Sequence, residues 1–141
     1  MSLTPEQLAR PGTEHAHQVA LMCACALAIH EHSELALLFA IPNGGDRSPI
    51  VAGRLKAEGV KPGVSDLFLP VAKGAYHGLF LELKVPIRKS TKNGGMSDKQ
   101  VEFCNDVSLQ GYACFCVWGW EHAFRVLTNY LNLGPYQQPN P

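Results

Sequence analysis

Apolar residues in this chain fall into short runs whose spacing changes from segment to segment, and those changes outline its elements. Val19 to Ile29 is almost unbroken Ala, Leu and Cys. Thr13 ahead of it is a good N-cap and Glu14 suits the positive end of a helix, so a helix is predicted from there to about His32. Glu34 to Ile41 (ELALLFAI) is an apolar run closed by Pro42-Asn43-Gly44-Gly45, which predicts a buried strand entering a tight loop. Ser48 as cap, Pro49 at the first helical position and Gly59 after Glu58 frame a short helix over Ile50 to Glu58.

From Asp66 the pattern becomes that of a hairpin. Asp66-Leu-Phe-Leu-Pro-Val is followed by a turn-prone Lys73-Gly74-Ala75-Tyr76-His77-Gly78 and then by Leu79 to Val85. With a period of two, Leu79, Leu81, Leu83 and Val85 take one face of that second strand, and Phe80, Glu82 and Lys84 take the other. Pro86 to Met96 reads as a loop rich in Lys, Arg and Gly. Ser97 with Gln100 three residues later forms a capping box that opens a helix to about Leu109, stopped by Gly111. Tyr112 to Trp118 (YACFCVW) predicts another buried strand, and Glu121 to Leu131 a last helix closed near Gly134, with frayed tails at both ends of the chain. The order defines an α/β fold: one domain over residues 1–141, with a mixed sheet of about four strands flanked by helices.

Composition adds exclusions. With 141 residues, 46% hydrophobic and 17% charged, the chain has the make-up of an ordinary single domain, not of a disordered or collagen-like one. The longest apolar stretch is too short to span a membrane, and the N-terminus lacks the basic-then-apolar order of a signal peptide, so a cytoplasmic location is expected. Five cysteines, an odd number without a CxxC pair, predict neither a disulfide framework nor a zinc ribbon. His15, His17, His30 and His32 flank the first helix near Cys23 and Cys25, but residues two apart do not share a helix face, so they read as helix-end histidines in solvent.

Charge is balanced overall, 12 Lys plus Arg against 12 Asp plus Glu, but unevenly spread. The net charge is −3 over residues 1–45, +5 over 46–99 and −2 over 100–141. A basic band in a neutral chain suits contact with an anionic polymer, or else describes solvated lysines on loops.

Three acidic residues stand where their surroundings do not ask for charge: Glu14 in a first helical turn, Asp66 at a strand start and Glu82 inside an apolar strand. Carboxylates together with a backbone carbonyl such as that of Leu83 suit Mg²⁺ or Mn²⁺, and Lys84, on the face of Glu82, could orient a water or offset charge on a phosphate. A structural Glu82–Lys84 surface pair is the alternative. Trp118 and Trp120 fit core or interface positions, or base stacking. No Ser or Cys nucleophile has a recognisable His and Asp arrangement, and no organic cofactor is expected.

The run Pro42-Asn43-Gly44-Gly45-Asp46-Arg47-Ser48, then Leu55 to Pro70, then Tyr76 to Lys84, resembles the VRR-NUC domain of the PD-(D/E)XK nuclease superfamily. The resemblance continues through Ser97, Gln100, Phe103 and Gly111-Tyr112, from about Glu14 to Leu131, and is to the short stand-alone form of phages and bacteria. It implies a restriction-endonuclease-like core in which Glu14, Asp66, Glu82 and the Leu83 carbonyl hold Mg²⁺ or Mn²⁺ and Lys84 is the catalytic lysine. Gln100 matches a glutamine that lines such sites; its other reading is helix capping. Asn43 and Arg47 fall in the family motif near substrate, or are turn chemistry. The chain departs from the superfamily pattern at Ser65, where proline is common; a residue that shapes the backbone without ligating leaves activity expected.

On this resemblance the chain is expected to be a metal-dependent endonuclease with Asp66, Glu82, Lys84 and Gln100 in the catalytic site. Its DNA contacts are expected from Asn43, Arg47, Arg54, Lys56, Lys61, Arg88, Lys89 and Lys92. A small chain reaches both strands of a four-way junction only as a symmetric pair, which predicts a homodimer that prefers branched DNA. The rival readings are a flap or nicking nuclease acting as a monomer, and a noncatalytic DNA-binding module.

Overall fold

The computed structural model describes residues 2–42 and 48–138. Helix α1 spans Pro5–Leu8 and α2 Glu14–Leu27; strand β1 is Phe39–Ala40, followed by α3 Pro49–Ala57, β2 Leu67–Leu69, β3 Leu79–Lys84, α4 Asp98–Leu109, β4 Ala113–Trp118 and α5 Trp120–Leu131. The strands form one sheet in the order β1-β2-β3-β4, antiparallel except for the β3–β4 pair.

Most of the elements match the sequence reading. Thr13 Oγ1 accepts the Ala16 N–H at the start of α2, Ser48 Oγ the Val51 N–H at α3, and Ser97 with Gln100 makes a complete capping box on α4. Helix α2 is shorter than expected, ending at Leu27 and not near His32. The expected strand from Glu34 to Ile41 is also corrected: Ser33–Leu37 forms a 3-10 turn and only Phe39–Ala40 pairs with β2. The run is apolar, yet Leu37 and Phe39 are exposed; Leu35 and Leu38, three apart, carry its burial, a helical spacing. The Pro86–Met96 loop contains two further 3-10 turns, Pro86–Ser90 and Lys92–Gly95. Helix α1 was not predicted, although Thr4 and Gln7 close a capping box on it.

The strand period sorts the sheet into two faces. Register pairs Leu67 with Leu81, Leu69 with Leu79, Leu79 with Ala113 and Leu83 with Val117, and these side chains form a fully buried aliphatic layer with Leu21, Ala123 and Leu127 from α2 and α5. The opposite face carries Phe68 stacked on Phe80 at 4.3 Å and Phe103 of α4 edge-on to Phe80 at 5.2 Å. Further along this face stand Glu82 and Lys84. Gly63, at φ +87°, lets the segment before β2 lie against α4; a Cβ there would meet the Lys99 carbonyl.

The cysteine expectation is corrected too. Cys104 of α4 and Cys114 of β4 are joined in a disulfide, which only the packing of α4 on the sheet brings together. Strand β4 is not buried throughout: it is the edge of the sheet, and Phe115 is 47% exposed. Among the described residues no helix is long and apolar enough to cross a membrane.

Candidate active site

Strand β2 begins at Leu67, one residue after the acidic position. Continuing its register by one step sets Asp66 across from Glu82 on the face that carries Phe80. Asp66 then replaces the missing ladder partner with its side chain: the Leu83 N–H donates to Asp66 Oδ2 at 2.8 Å. The N–H and C=O of one strand residue leave the same edge, so the Leu83 carbonyl also faces the side where β2 has not yet begun. Phe80, Glu82 and Lys84 bond towards β4, as the Gly119 N–H to Lys84 carbonyl bond confirms.

Glu82 is 2% exposed. Its Oε1 accepts the Gln100 Nε2–H at 2.7 Å and lies 3.5 Å from Lys84 Nζ, while its Oε2 is buried with no hydrogen-bond partner among the described residues. Burial, and next the charge of Asp66, push its pKa up to about 8, against which Lys84 pulls down. Gln100 thus does both things the sequence left open: its Oε1 accepts the Ser97 N–H and its Nε2 holds Glu82. Lys84 Nζ stands 3.9 Å from Glu14 Oε1 on the first turn of α2, so the lysine lies between two carboxylates.

A buried carboxylate oxygen without a partner, next to a second carboxylate and an outward-facing carbonyl, fits an oxygen-seeking divalent cation. The full expected set is not gathered: among the described residues no three His, Cys, Asp or Glu side chains cluster closely enough to hold a metal, and half-exposed Glu14 faces Lys84. His17 departs from a solvent role: its Nδ1 accepts the Trp120 N–H and so caps α5, whose own N-cap, Gly119, offers no side chain.

Beside Glu82 opens a cleft of about 570 Å³, lined by Lys84, Arg88, Lys92, Asn93 and Gln100 among others. Its outer wall is a fixed turn. Asn93, Gly94 and Gly95 all have positive φ; the Trp118 indole N–H donates to the Gly94 carbonyl at 2.8 Å and Arg88 Nη2 to that of Gly95 at 3.3 Å. Trp118 is therefore a wall-fixing residue, its ring stacked on His122 and with Lys89 Nζ 5.6 Å from its centroid. Sequence reasoning missed that role of Trp118 and the place of Asn93; the Asn-Gly-Gly triplet was the available signal. Of the other expected DNA contacts, Arg54 and Lys56 lie in the last turn of α3, and Lys61 borders a separate crevice with Lys99 and Phe103. Asn43 and Arg47 lie outside the described residues.

No family model matches the chain, and no curated protein sequence does. Among solved structures, one titled "VRR_NUC domain protein" superposes with a TM-score of 0.72 and 24% identity, over 89% of this chain and 93% of its own. The mixed four-stranded sheet with flanking helices is thus an α/β fold of the kind the resemblance implied. At that identity the likeness shows the fold; the chemistry has to be argued from the side chains.

Proposed function

We propose that the chain is a metal-dependent nuclease that hydrolyses DNA phosphodiester bonds at the Asp66–Glu82–Lys84 site. The observation that carries this reading is Glu82 Oε2, buried and unpartnered beside Asp66. A protein does not keep two facing carboxylates in a poorly solvated place for stability. Binding DNA alone gains nothing from them, since they repel phosphate.

Asp66, Glu82 and the Leu83 carbonyl would hold Mg²⁺ or Mn²⁺, and Glu14 would add negative charge at the rim. The chemistry such an ion supplies when bound is Lewis-acid charge and a water acidic enough to act near neutral pH. The Lys84 side chain, held between Glu82 and Glu14, would offset the charge that builds up on the phosphate. Gln100 fixes the carboxylate plane of Glu82. Arg88 and Lys92 on the cleft wall offer cations to the flanking phosphates. The finer reading is a homodimer that prefers branched DNA such as a four-way junction.

The test is purified protein with labelled four-way junction, flap, nicked, duplex and single-stranded DNA in Mg²⁺, Mn²⁺ or EDTA, beside Asp66→Ala. Cutting that needs the metal and vanishes in the variant is the expected result. Binding without cutting on every substrate would return the chain to a noncatalytic module. Cutting of flaps or nicks by a monomer would remove the junction refinement.

A further inference from the structure

We propose that the Cys104–Cys114 disulfide is a redox-sensitive clamp on α4, which holds Gln100 against Glu82 while the bond is closed and loosens that contact when a dithiol opens it. Of the twelve residues of α4 only Cys104 is buried, so little apolar area fastens this helix to the sheet and the covalent bond carries much of its attachment. Both ends of the bond lie close to the site. Gln100 is four residues before Cys104, on the same face of the helix, so fixing Cys104 fixes the direction from which the Gln100 amide reaches Glu82 Oε1 at 2.7 Å. Cys114 stands opposite Phe80 in the β3–β4 ladder, and its Sγ lies 3.6 Å from the Ser65 Oγ. Ser65 is 2% exposed and directly precedes Asp66. One bond thus joins the helix that holds Glu82 to the strand beside Glu82, and touches the segment that delivers Asp66.

Opening the bond leaves Phe103 edge-on to Phe80, and the Tyr112 N–H to Val107 carbonyl bond at the far end of α4. Reduction therefore loosens the helix and its Gln100 contact and leaves the chain folded. Cys104 is 8% exposed, whereas Cys114, on the edge strand, is half-buried, so Cys114 Sγ is the sulfur that a thiolate reaches. The first thiolate of the dithiol attacks there, the bond to Cys104 breaks, and Cys104 leaves and takes up a proton. The second thiolate of the reductant then displaces Cys114 from the mixed disulfide, and Cys114 takes up the other proton. Two electrons and two protons pass from the dithiol to the cysteine pair, and the reductant departs as its own disulfide. The clamp on α4 stands apart from the nuclease reading; only its effect on cleavage rests on that reading.

The experiment compares the full wild-type chain, purified in air without reductant, with the same chain kept in dithiothreitol. Thiol titration in denaturant is expected to count three thiols in the first, Cys23, Cys25 and Cys116, and five in the second. Reduction is expected to lower the melting temperature by roughly 5 °C or more. It is also expected to speed amide exchange in α4 by roughly 10-fold more than in α2 and α5, and to slow DNA cleavage in Mg²⁺ by roughly 10-fold, all reversed on re-oxidation in air. Cys114→Ala is expected to exchange and cut like the reduced chain whether or not dithiothreitol is present. Five thiols in the air-purified chain, exchange in α4 that reduction leaves unchanged, or cleavage at one measurable rate in both states overturns the proposal. If neither state cuts DNA while exchange in α4 still responds, the nuclease reading falls and the clamp stands.

Discussion

Along β3, Leu79, Leu81 and Leu83 point to one face of the sheet and Phe80, Glu82 and Lys84 to the other, from the same six residues. The leucines are at most 1% exposed and belong to one apolar cluster with residues of β2, β4, α2 and α5, each burial worth about 1.5–3 kcal/mol. Glu82 and Lys84 are nearly as buried, yet one carboxylate oxygen has no partner and a second carboxylate faces it. The first face holds the fold together; the second spends stability to keep charge in a fixed geometry. Both are needed: the Gln100 amide and the Leu83 N–H reach their carboxylates because the leucine layer fixes the strand that carries them.

The largest effect that separates the two faces is on catalysis. Asp66→Ala and Lys84→Ala are each expected to lower the cleavage rate by roughly 10³-fold or more, with melting temperature near wild type, measured by single-turnover cleavage and circular dichroism. Leu81→Ala should do the reverse: about 3 kcal/mol of stability lost in urea unfolding, with the folded fraction cutting at the wild-type rate. Loss of stability from Asp66→Ala and Lys84→Ala equal to that from Leu81→Ala would erase the distinction.

Next comes the pH dependence. Burial and Asp66 raise the folded-state pKa of Glu82 from its ordinary 4.5 to about 8, so the folded chain binds that proton more tightly than the unfolded one. The stability this contributes is complete below about pH 4.5 and is lost as pH rises through about 8. In EDTA the melting temperature should therefore fall between pH 5 and pH 9, and Mg²⁺ or Mn²⁺ should flatten the fall; a profile that rises over that range contradicts the assignment. The smallest effect is at Gln100, where Gln100→Ala should cost about 1 kcal/mol through its lost cap and about 10-fold in rate, while Gln100→Glu should restore the cap and not the rate.

Much of this contrast was legible in the chain. A period of two around Glu82 and Lys84 set the face they share, and Ser97 with Gln100 announced the helix that reaches them. Glu34 to Ile41 was misread because a run apolar at almost every position carries no period, and only the packing of Leu35 and Leu38 selects the turn. The Cys104–Cys114 bond was out of reach because ten residues of sequence say nothing about how α4 lies on β4. Glu14 was found as a lone acid, but its pairing with Lys84 depends on where α2 crosses the sheet. For Gln100 the two readings that competed in the sequence are both made by one side chain, with its oxygen on the helix end and its nitrogen on Glu82.

The most direct test of the claim that the Glu82 face gives up stability for chemistry is Glu82→Gln, which keeps the shape and the acceptor for Gln100 while removing the charge beside Asp66. Its melting temperature in EDTA at pH 8.5 and its cleavage rate in Mg²⁺ should be measured together. A variant that melts higher than wild type, by roughly 3 °C or more, and no longer cuts DNA is the predicted result. A variant that melts lower and still cuts would contradict it.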